Sequence, residues 1–269
     1  MNKEINRMTS DNQLINRLRS RSLKGIIFDF DGTLLDIKEA MEKSIEEIFT
    51  DNRIEADMEL TIQEIGALLE TLQGYPLPKI ILQSYDMFKY ITAFKDITFL
   101  KKVMISTKIF SKFLERSKEA PLFPGTKVLL DTLRKKLKYD IFIISHSKKE
   151  KIMEHLIRNG IDKYFKGIYG TDELTSLKPS PDALKPVLSQ YSNVKNGEII
   201  MIGDMPTDIE AGQEAECGTI AIASGISNKE ILANLKPDLL IDSLEELNEL
   251  IGIGTISSSN TQKSAKIKS

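Results

Sequence analysis

The chain has 269 residues, with 37 basic and 39 acidic side chains, a formal net charge of −2 and 41% hydrophobic residues. That length allows one large domain or two smaller ones, and the apolar fraction is enough to bury a sizeable core. Near-balanced charge leaves no electrostatic footprint for nucleic acid, and no run approaches the roughly 18 apolar residues of a membrane helix. The single cysteine, Cys217, excludes an intrachain disulfide framework and points to a reducing compartment, hence a cytoplasmic location.

In chain order, residues 1–22 read as a charged N-terminal extension with helix-forming composition, without the apolar segment and cleavage pattern of a secretory signal. Gly25 to Leu35, GIIFDFDGTLL, follows. Its run Ile26, Ile27, Phe28 is what a strand buried on both faces of a parallel sheet requires. Asp29 and Asp31 lie at the end of that strand, and Gly32 lets the chain turn at once, so both acids can face one pocket. Taken alone, Asp31-Gly32 is also an ordinary turn signal.

From residue 37 to 120 the pattern is helical and poor in strand signals. Met41, Ile45, Ile48 and Phe49 share one helical face, and Ile62, Ile65, Leu68, Leu69 and Leu72 share another before Gly74 and Pro76 break it. Ile109, Phe110, Phe113 and Leu114 mark a further helix, while Tyr85, Phe88, Tyr90 and Phe94 read as the apolar core of this helical unit. Phe123-Pro124-Gly125-Thr126 marks the return of the chain from this unit.

Beyond residue 121 helices and strands alternate, which implies a parallel sheet. Val128, Leu129 and Leu133 precede strand Ile141–Ile144, which ends in Ser145-His146-Ser147. A helix carrying Ile152, Met153, Leu156 and Ile157 ends at Gly160, before strand Ile168-Tyr169. Lys178 lies in LKPSPD, where a lone lysine would ordinarily be a solvated loop residue. A helix around Ala183–Leu188 precedes strand Ile199–Ile202, which leads into Gly203-Asp204. Pro206 and Thr207 suit a helix start that includes Asp208. Strands Thr219–Ala223 and Leu239–Ile241 follow, and Ser243 with Glu246 forms a capping-box pattern for the last helix. Residues 254–269, rich in serine and lysine, read as a disordered tail.

Four of these segments in order, DFDGTLLD, IFIISHS, LKPSPD and GDMPTD, resemble the motifs of the haloacid dehalogenase superfamily. The similarity extends over roughly residues 23 to 252, and ordered motifs are more specific than any single one. GDMPTDIEAG and KPDLLIDSLEEL are nearest to the phosphoglycolate phosphatase-like group. The resemblance implies an α/β fold: a Rossmann-like parallel-sheet core from residues 23–36 and 121–253, with an inserted all-helical cap at 37–120 that closes over the pocket and selects substrate. It implies that Asp29 is the nucleophile that becomes an aspartyl phosphate, and that Asp31 protonates the leaving oxygen and later activates water. The acid at position 31 favours phosphoester chemistry over carbon–halogen cleavage.

By the same resemblance Ser145 binds the phosphoryl group, and His146 stands where relatives commonly carry Asn, which keeps the backbone amide but puts the side-chain contact in question. Lys178 approaches the nucleophile and the phosphoryl group. Magnesium is held by the Asp29 and Asp204 carboxylates and the Asp31 backbone carbonyl, with Asp208 orienting Lys178. Asp208 can equally serve as a first-turn acid favoured by the helix macrodipole, and the two roles are compatible.

The cation is also expected on physical grounds. Like charges 4 Å apart repel by about 4 kcal/mol at an intermediate dielectric, so acids gathered around a dianionic phosphate need a positive partner. An all-oxygen donor set suits a hard divalent ion such as magnesium, and the chain offers no soft-metal cluster. The expected activity is hydrolysis of a small phosphorylated metabolite, with no nucleic acid or membrane partner and with the oligomeric state open. A phosphosugar mutase using the same aspartate and a catalytically silent interaction module are the alternatives. A signalling receiver domain would lack the helical insertion and the downstream Gly-Asp motif.

Overall fold

The computed structural model describes residues 13–72, 91–191 and 195–252, with the side chains of 66–72 and 196 outside the description. Six strands, β1 (Gly25–Phe28), β2 (Asp140–Ile144), β3 (Gly167–Tyr169), β4 (Ile199–Gly203), β5 (Gly218–Ile222) and β6 (Leu239–Ile241), form one parallel sheet in the order β3-β2-β1-β4-β5-β6. The chain builds outward from β1 through β2 to β3, then crosses to the other side of β1 and builds outward again. Phe28 is therefore paired with Ile143 on one side and Ile202 on the other.

A strand with neighbours on both edges and helices on both faces must be apolar throughout, which is why the near-continuous runs are legible. Alternation still divides them. Ile26, Phe28, Ile141, Ile143, Ile200 and Ile202 belong to one side of the core. Ile27, Phe142, Ile144, Ile199 and Met201 belong to the other.

Residues 13–19 are helical (α1). Between β1 and β2 the described residues contain helices and no strand of the sheet: α2 (Lys38–Asn52), α3 (Met58–Leu72) and α4 (Phe99–Ser117). Helix α2 buries Met41, Ile45, Ile48 and Phe49, and α4 buries Ile105, Ile109 and Phe113. Phe94 is fully buried with its ring 6.1 Å from that of Phe49, which makes it core. Tyr85, Phe88, Tyr90, Gly74 and Pro76 lie outside the described residues. The two chain crossings that bound this insertion run side by side: Asp36 N–H donates to Pro121 O at 2.8 Å, and Phe123 N–H to Leu34 O at 3.0 Å.

The remaining helices are α5 (Thr126–Asp131), α6 (Lys149–Arg158), α7 (Lys185–Leu188), α8 (Pro206–Glu214), α9 (Lys229–Asn234) and α10 (Leu244–Ile251). Three details depart from the sequence pattern. The helix after Gly125 widens into a π turn over Thr132–Lys136. The helix expected over Ala183–Leu188 is divided into a 3-10 turn, Pro181–Leu184, and α7, because Pro186 supplies no N–H to continue a single ladder. Ile157, read as part of an apolar stripe, is 61% exposed, so Ile152 and Leu156 carry the buried face of α6. At the start of α10 the Ser243 hydroxyl accepts from Glu246 N–H at 3.2 Å, while Glu246 Oε2 accepts from Asp242 N–H at 2.6 Å, one residue before the cap.

Of the segment read as an N-terminal extension, residues 13–22 are described, and they pack onto the core. Leu14, Ile15 and Leu18 are buried. Arg17 donates to Gly197 O at 2.6 Å, Arg19 to Leu250 O at 2.9 Å and Arg21 to Lys136 O at 2.6 Å, and the Tyr139 hydroxyl donates to Leu18 O at 2.7 Å. The carbonyls that the three arginines reach precede β2 and β4 or lie in α10, and Tyr139 immediately precedes β2, so α1 lies at the end of the sheet where its strands begin. Residues 253–269, which include the expected tail, lie outside the described residues. No described helix is long and apolar enough to cross a membrane.

Leu18 is 0% exposed. Leu18→Ala is expected to lower unfolding stability by about 2–5 kcal/mol, the range for buried large-to-small changes. Urea unfolding would measure it, and a change within experimental error would place α1 outside the cooperative core.

Candidate active site

The chain order turns back across β1, and β1, β2 and β4 all end on the same side of the sheet. Open α/β sheets bind ligands at such a crevice. Asp29 follows β1 and keeps the ladder going, its N–H donating to Ile202 O at 2.8 Å. Ser145 follows β2, and Asp204 follows β4. Lys178 arrives from the loop between β3 and the Pro181–Leu184 turn. Asp208 comes from the first turn of α8, where its Oδ2 accepts from Met205 N–H at 3.0 Å and caps the helix.

Lys178 joins these pieces. Its Nζ donates to Asp29 Oδ1 at 2.6 Å and to Asp208 Oδ1 at 2.5 Å, with the lysine side chain only 1% exposed. Carboxylate oxygens of Asp29, Asp204 and Asp208 lie within 4.8 Å of one another. Asp204 is held separately: Thr33 Oγ1 donates to its Oδ1 at 2.7 Å, and Ile226 N–H to its Oδ2 at 2.8 Å. Close packing around it requires two glycines. Gly32 has φ +90°, and a Cβ there would fall 2.4 Å from Asp204 Oδ2; a Cβ on Gly225 would fall 2.1 Å from the same atom.

Burial dominates the electrostatics. It pushes the Asp29 carboxyl well above the ordinary range, Lys178 pulls it back, and Asp208 and Asp204 push it up again. Burial and then the neighbouring Asp208 push Asp204 up to about 7, against the opposing hydrogen bonds from Ile226 and Thr33. Three buried carboxylates thus share one buried ammonium, and ionising them all leaves the cluster with excess negative charge. An all-oxygen, anion-rich set of this kind fits a hard divalent cation.

Asp31 is set apart from that cluster. Ser147 Oγ donates to its Oδ2, and Lys151 Nζ lies 3.5 Å from its Oδ1. Its expected contribution to a metal was its backbone carbonyl, and its carboxylate is not among the three that converge. Ser145 is 1% exposed, and its Oγ accepts from Ser147 N–H at 3.0 Å, which shapes the loop after β2. His146, next to it, is buried.

Asp29, Lys178, Asp204 and Asp208 therefore converge, with Ser145 and His146 on the loop after the neighbouring strand. Thr33, Ser147, Lys151 and the Ile226 amide were not singled out from sequence. Thr33 and Ser147 lie inside the words DFDGTLLD and IFIISHS, so their hydroxyls were available as a signal. Lys151 was hidden in a run of charged residues, and Ile226 contributes through its backbone, which sequence does not display.

A parallel α/β sheet thus carries an aspartate–lysine cluster at its switch point, and comparison with known proteins gives the class. The model of the haloacid dehalogenase-like hydrolase family matches residues 26–222, and the chain belongs to that family. A phosphoglycolate phosphatase of Vibrio parahaemolyticus is 26% identical over 239 residues, spanning 88% of this chain and 99% of the relative. The pyrophosphatase PpaX of Listeria welshimeri is 35% identical over 113 residues, 42% of this chain and 52% of the relative. A crystal structure described as a predicted phosphoglycolate phosphatase from Haemophilus somnus shares the fold with a TM-score of 0.62 at 22% identity, covering 86% of this chain and 98% of that one.

The raised carboxyls predict a pH dependence. Because Asp29 and Asp204 hold protons more tightly folded than unfolded, the folded state binds more protons over a range that starts at the ordinary carboxylate values and, for Asp204, reaches about 7. Their contribution to stability is complete below that range and is lost as pH rises through it. In a chelator, thermal unfolding is expected to shift to lower temperature as pH rises from about 5 to about 8. A midpoint that rises over this interval would contradict the burial of these acids.

Proposed function

We propose that the chain is a magnesium-dependent phosphatase acting on small phosphomonoesters through an aspartyl-phosphate intermediate on Asp29. The observation that carries this reading is the buried Lys178 ammonium joining Asp29 to Asp208 beside Asp204. The carboxylates of Asp29 and Asp204 and the backbone carbonyl of Asp31 would hold the ion. When bound, it supplies positive charge against the acids and the phosphoryl oxygens. Each carboxylate oxygen has more than one acceptor site, so the bonds from Thr33, Ile226 and Lys178 are compatible with that role.

On this reading an Asp29 oxygen attacks phosphorus as the bond to the leaving oxygen breaks, and Asp31 donates the proton that oxygen needs. Water then attacks the aspartyl phosphate while Asp31 takes its proton, the Asp29–phosphorus bond breaks, and phosphate is released. Lys178 offsets the charge that develops on the phosphoryl oxygens. Ser145 Oγ and backbone amides of its loop hold the group in line, since phosphoryl transfer depends mainly on positioning and electrostatics. Asp208, bonded to both Lys178 and the start of α8, fixes where the ammonium points. The helical insertion of residues 37–120 serves as the cap that excludes water and selects the substrate.

Similarity to a phosphoglycolate phosphatase along nearly its whole length supports a small phosphorylated metabolite as substrate. The single cysteine is consistent with action in the cytoplasm.

Asp29→Asn is expected to reduce turnover of every phosphomonoester by at least about a thousandfold, because an amide oxygen cannot serve as the nucleophile. Steady-state assays in magnesium, with circular dichroism to verify the fold, would measure this. Activity near that of the unaltered protein would reject Asp29 as nucleophile.

A further inference from the structure

Lys151 is a second cation at the site, different in kind from Lys178. It comes from α6, and its Nζ lies 3.5 Å from Asp31 Oδ1 and 6.0 Å from the centre of the Phe113 ring on α4. It therefore stands at the seam between the sheet core and the helical insertion. Lys178 is sequestered, whereas the Lys151 side chain is 27% exposed and the Asp31 side chain 7%. An ammonium has three donors, and the contact to Asp31 is long, so Lys151 can offer hydrogen bonds to an incoming group.

Its position relative to Asp31 gives this meaning. A proton donor must lie within hydrogen-bond reach of the leaving oxygen, so the atoms carried by that oxygen come to lie beside Asp31 and hence beside Lys151. The Phe113 ring lies within cation–π reach of the ammonium on the insertion side, 6.0 Å from its centre.

We infer that Lys151 is a specificity-determining residue that favours substrates whose leaving group carries an anion, either a carboxylate or a second phosphate. This rests on the phosphatase reading above and assigns the part of the substrate remote from the transferred phosphoryl group. Lys151 touches the departing portion of the ester, and its contribution is to binding that portion.

The test uses the full chain in magnesium with three probes: phosphoglycolate, pyrophosphate and ethylene glycol monophosphate. The first and last differ in bearing a carboxylate or a neutral hydroxymethyl group. The unaltered enzyme is expected to favour at least one anionic probe over ethylene glycol monophosphate by about tenfold or more in kcat/KM, the scale of a charge-assisted hydrogen bond. Which anionic probe is preferred distinguishes a carboxylate from a second phosphate. Lys151→Met removes the ammonium both from the leaving group and from Asp31, so it should raise KM for the anionic probe alone and collapse the anionic-over-neutral ratio of kcat/KM toward one, while any effect of the lost Asp31 contact falls on kcat for all three probes alike. Lys151→Arg should retain the preference.

Equal use of charged and neutral esters by the unaltered enzyme would overturn the inference, as would a preference that survives Lys151→Met or a parallel rise in KM on all probes. Salt provides a reading that needs no variant: KM for the anionic probe should rise with ionic strength more steeply than KM for the neutral ester, and parallel rises would overturn the inference. A chain that hydrolyses none of the three would instead overturn the phosphatase reading on which it stands.

Discussion

Placing an ammonium in a protein interior is unfavourable unless anions surround it, and placing several carboxylates there is unfavourable unless cations do. Lys178 satisfies part of both requirements by bonding Asp29 and Asp208 in one buried cluster. The match is incomplete, since Asp204 adds a third carboxylate that the single ammonium does not neutralise. Such an excess of buried negative charge is destabilising for the chain alone. On the proposed reading the same imbalance that costs stability prepares the cleft for a cation.

The sheet makes that imbalance possible. Asp29 and Asp204 stand beyond adjacent strands whose backbones are fixed by pairing, so their carboxylates cannot separate to relieve repulsion. Thr33 and the Ile226 amide hold Asp204 in place, and the lack of side chains at Gly32 and Gly225 lets the surrounding loops approach it. Asp31, only two residues from Asp29, is directed instead toward Ser147 and Lys151. One turn of chain thus divides two acids between different surroundings, a buried ammonium for one and a partly exposed seam for the other. That division matches the distinct roles of nucleophile and proton carrier proposed for them.

The sheet was legible because strands paired on both edges must be apolar along their length, so IIF, IFII and IIMI stand out. The acids and Lys178 were legible through the words that contain them and through the order of those words. Other features depend on information that a linear pattern does not hold. Lys151 is one charged residue among several, and its relation to Phe113 exists only after α4 and α6 pack near one another. The packing of α1 was hidden because its arginines reach backbone carbonyls, which every sequence possesses. The division at Pro186 and the exposure of Ile157 show local pattern yielding to missing hydrogen-bond donors and to the limits of one buried helix face.

Calorimetric titration of magnesium into the metal-free chain tests the central claim, that the Asp29–Asp204–Asp208 cluster is a cation-requiring site, most directly. The account predicts saturable binding of one ion per chain, weakened by at least about tenfold in Asp204→Ala, the change expected when a charged ligand is removed. Equal binding by both proteins, or none by the unaltered chain at millimolar magnesium, would contradict it.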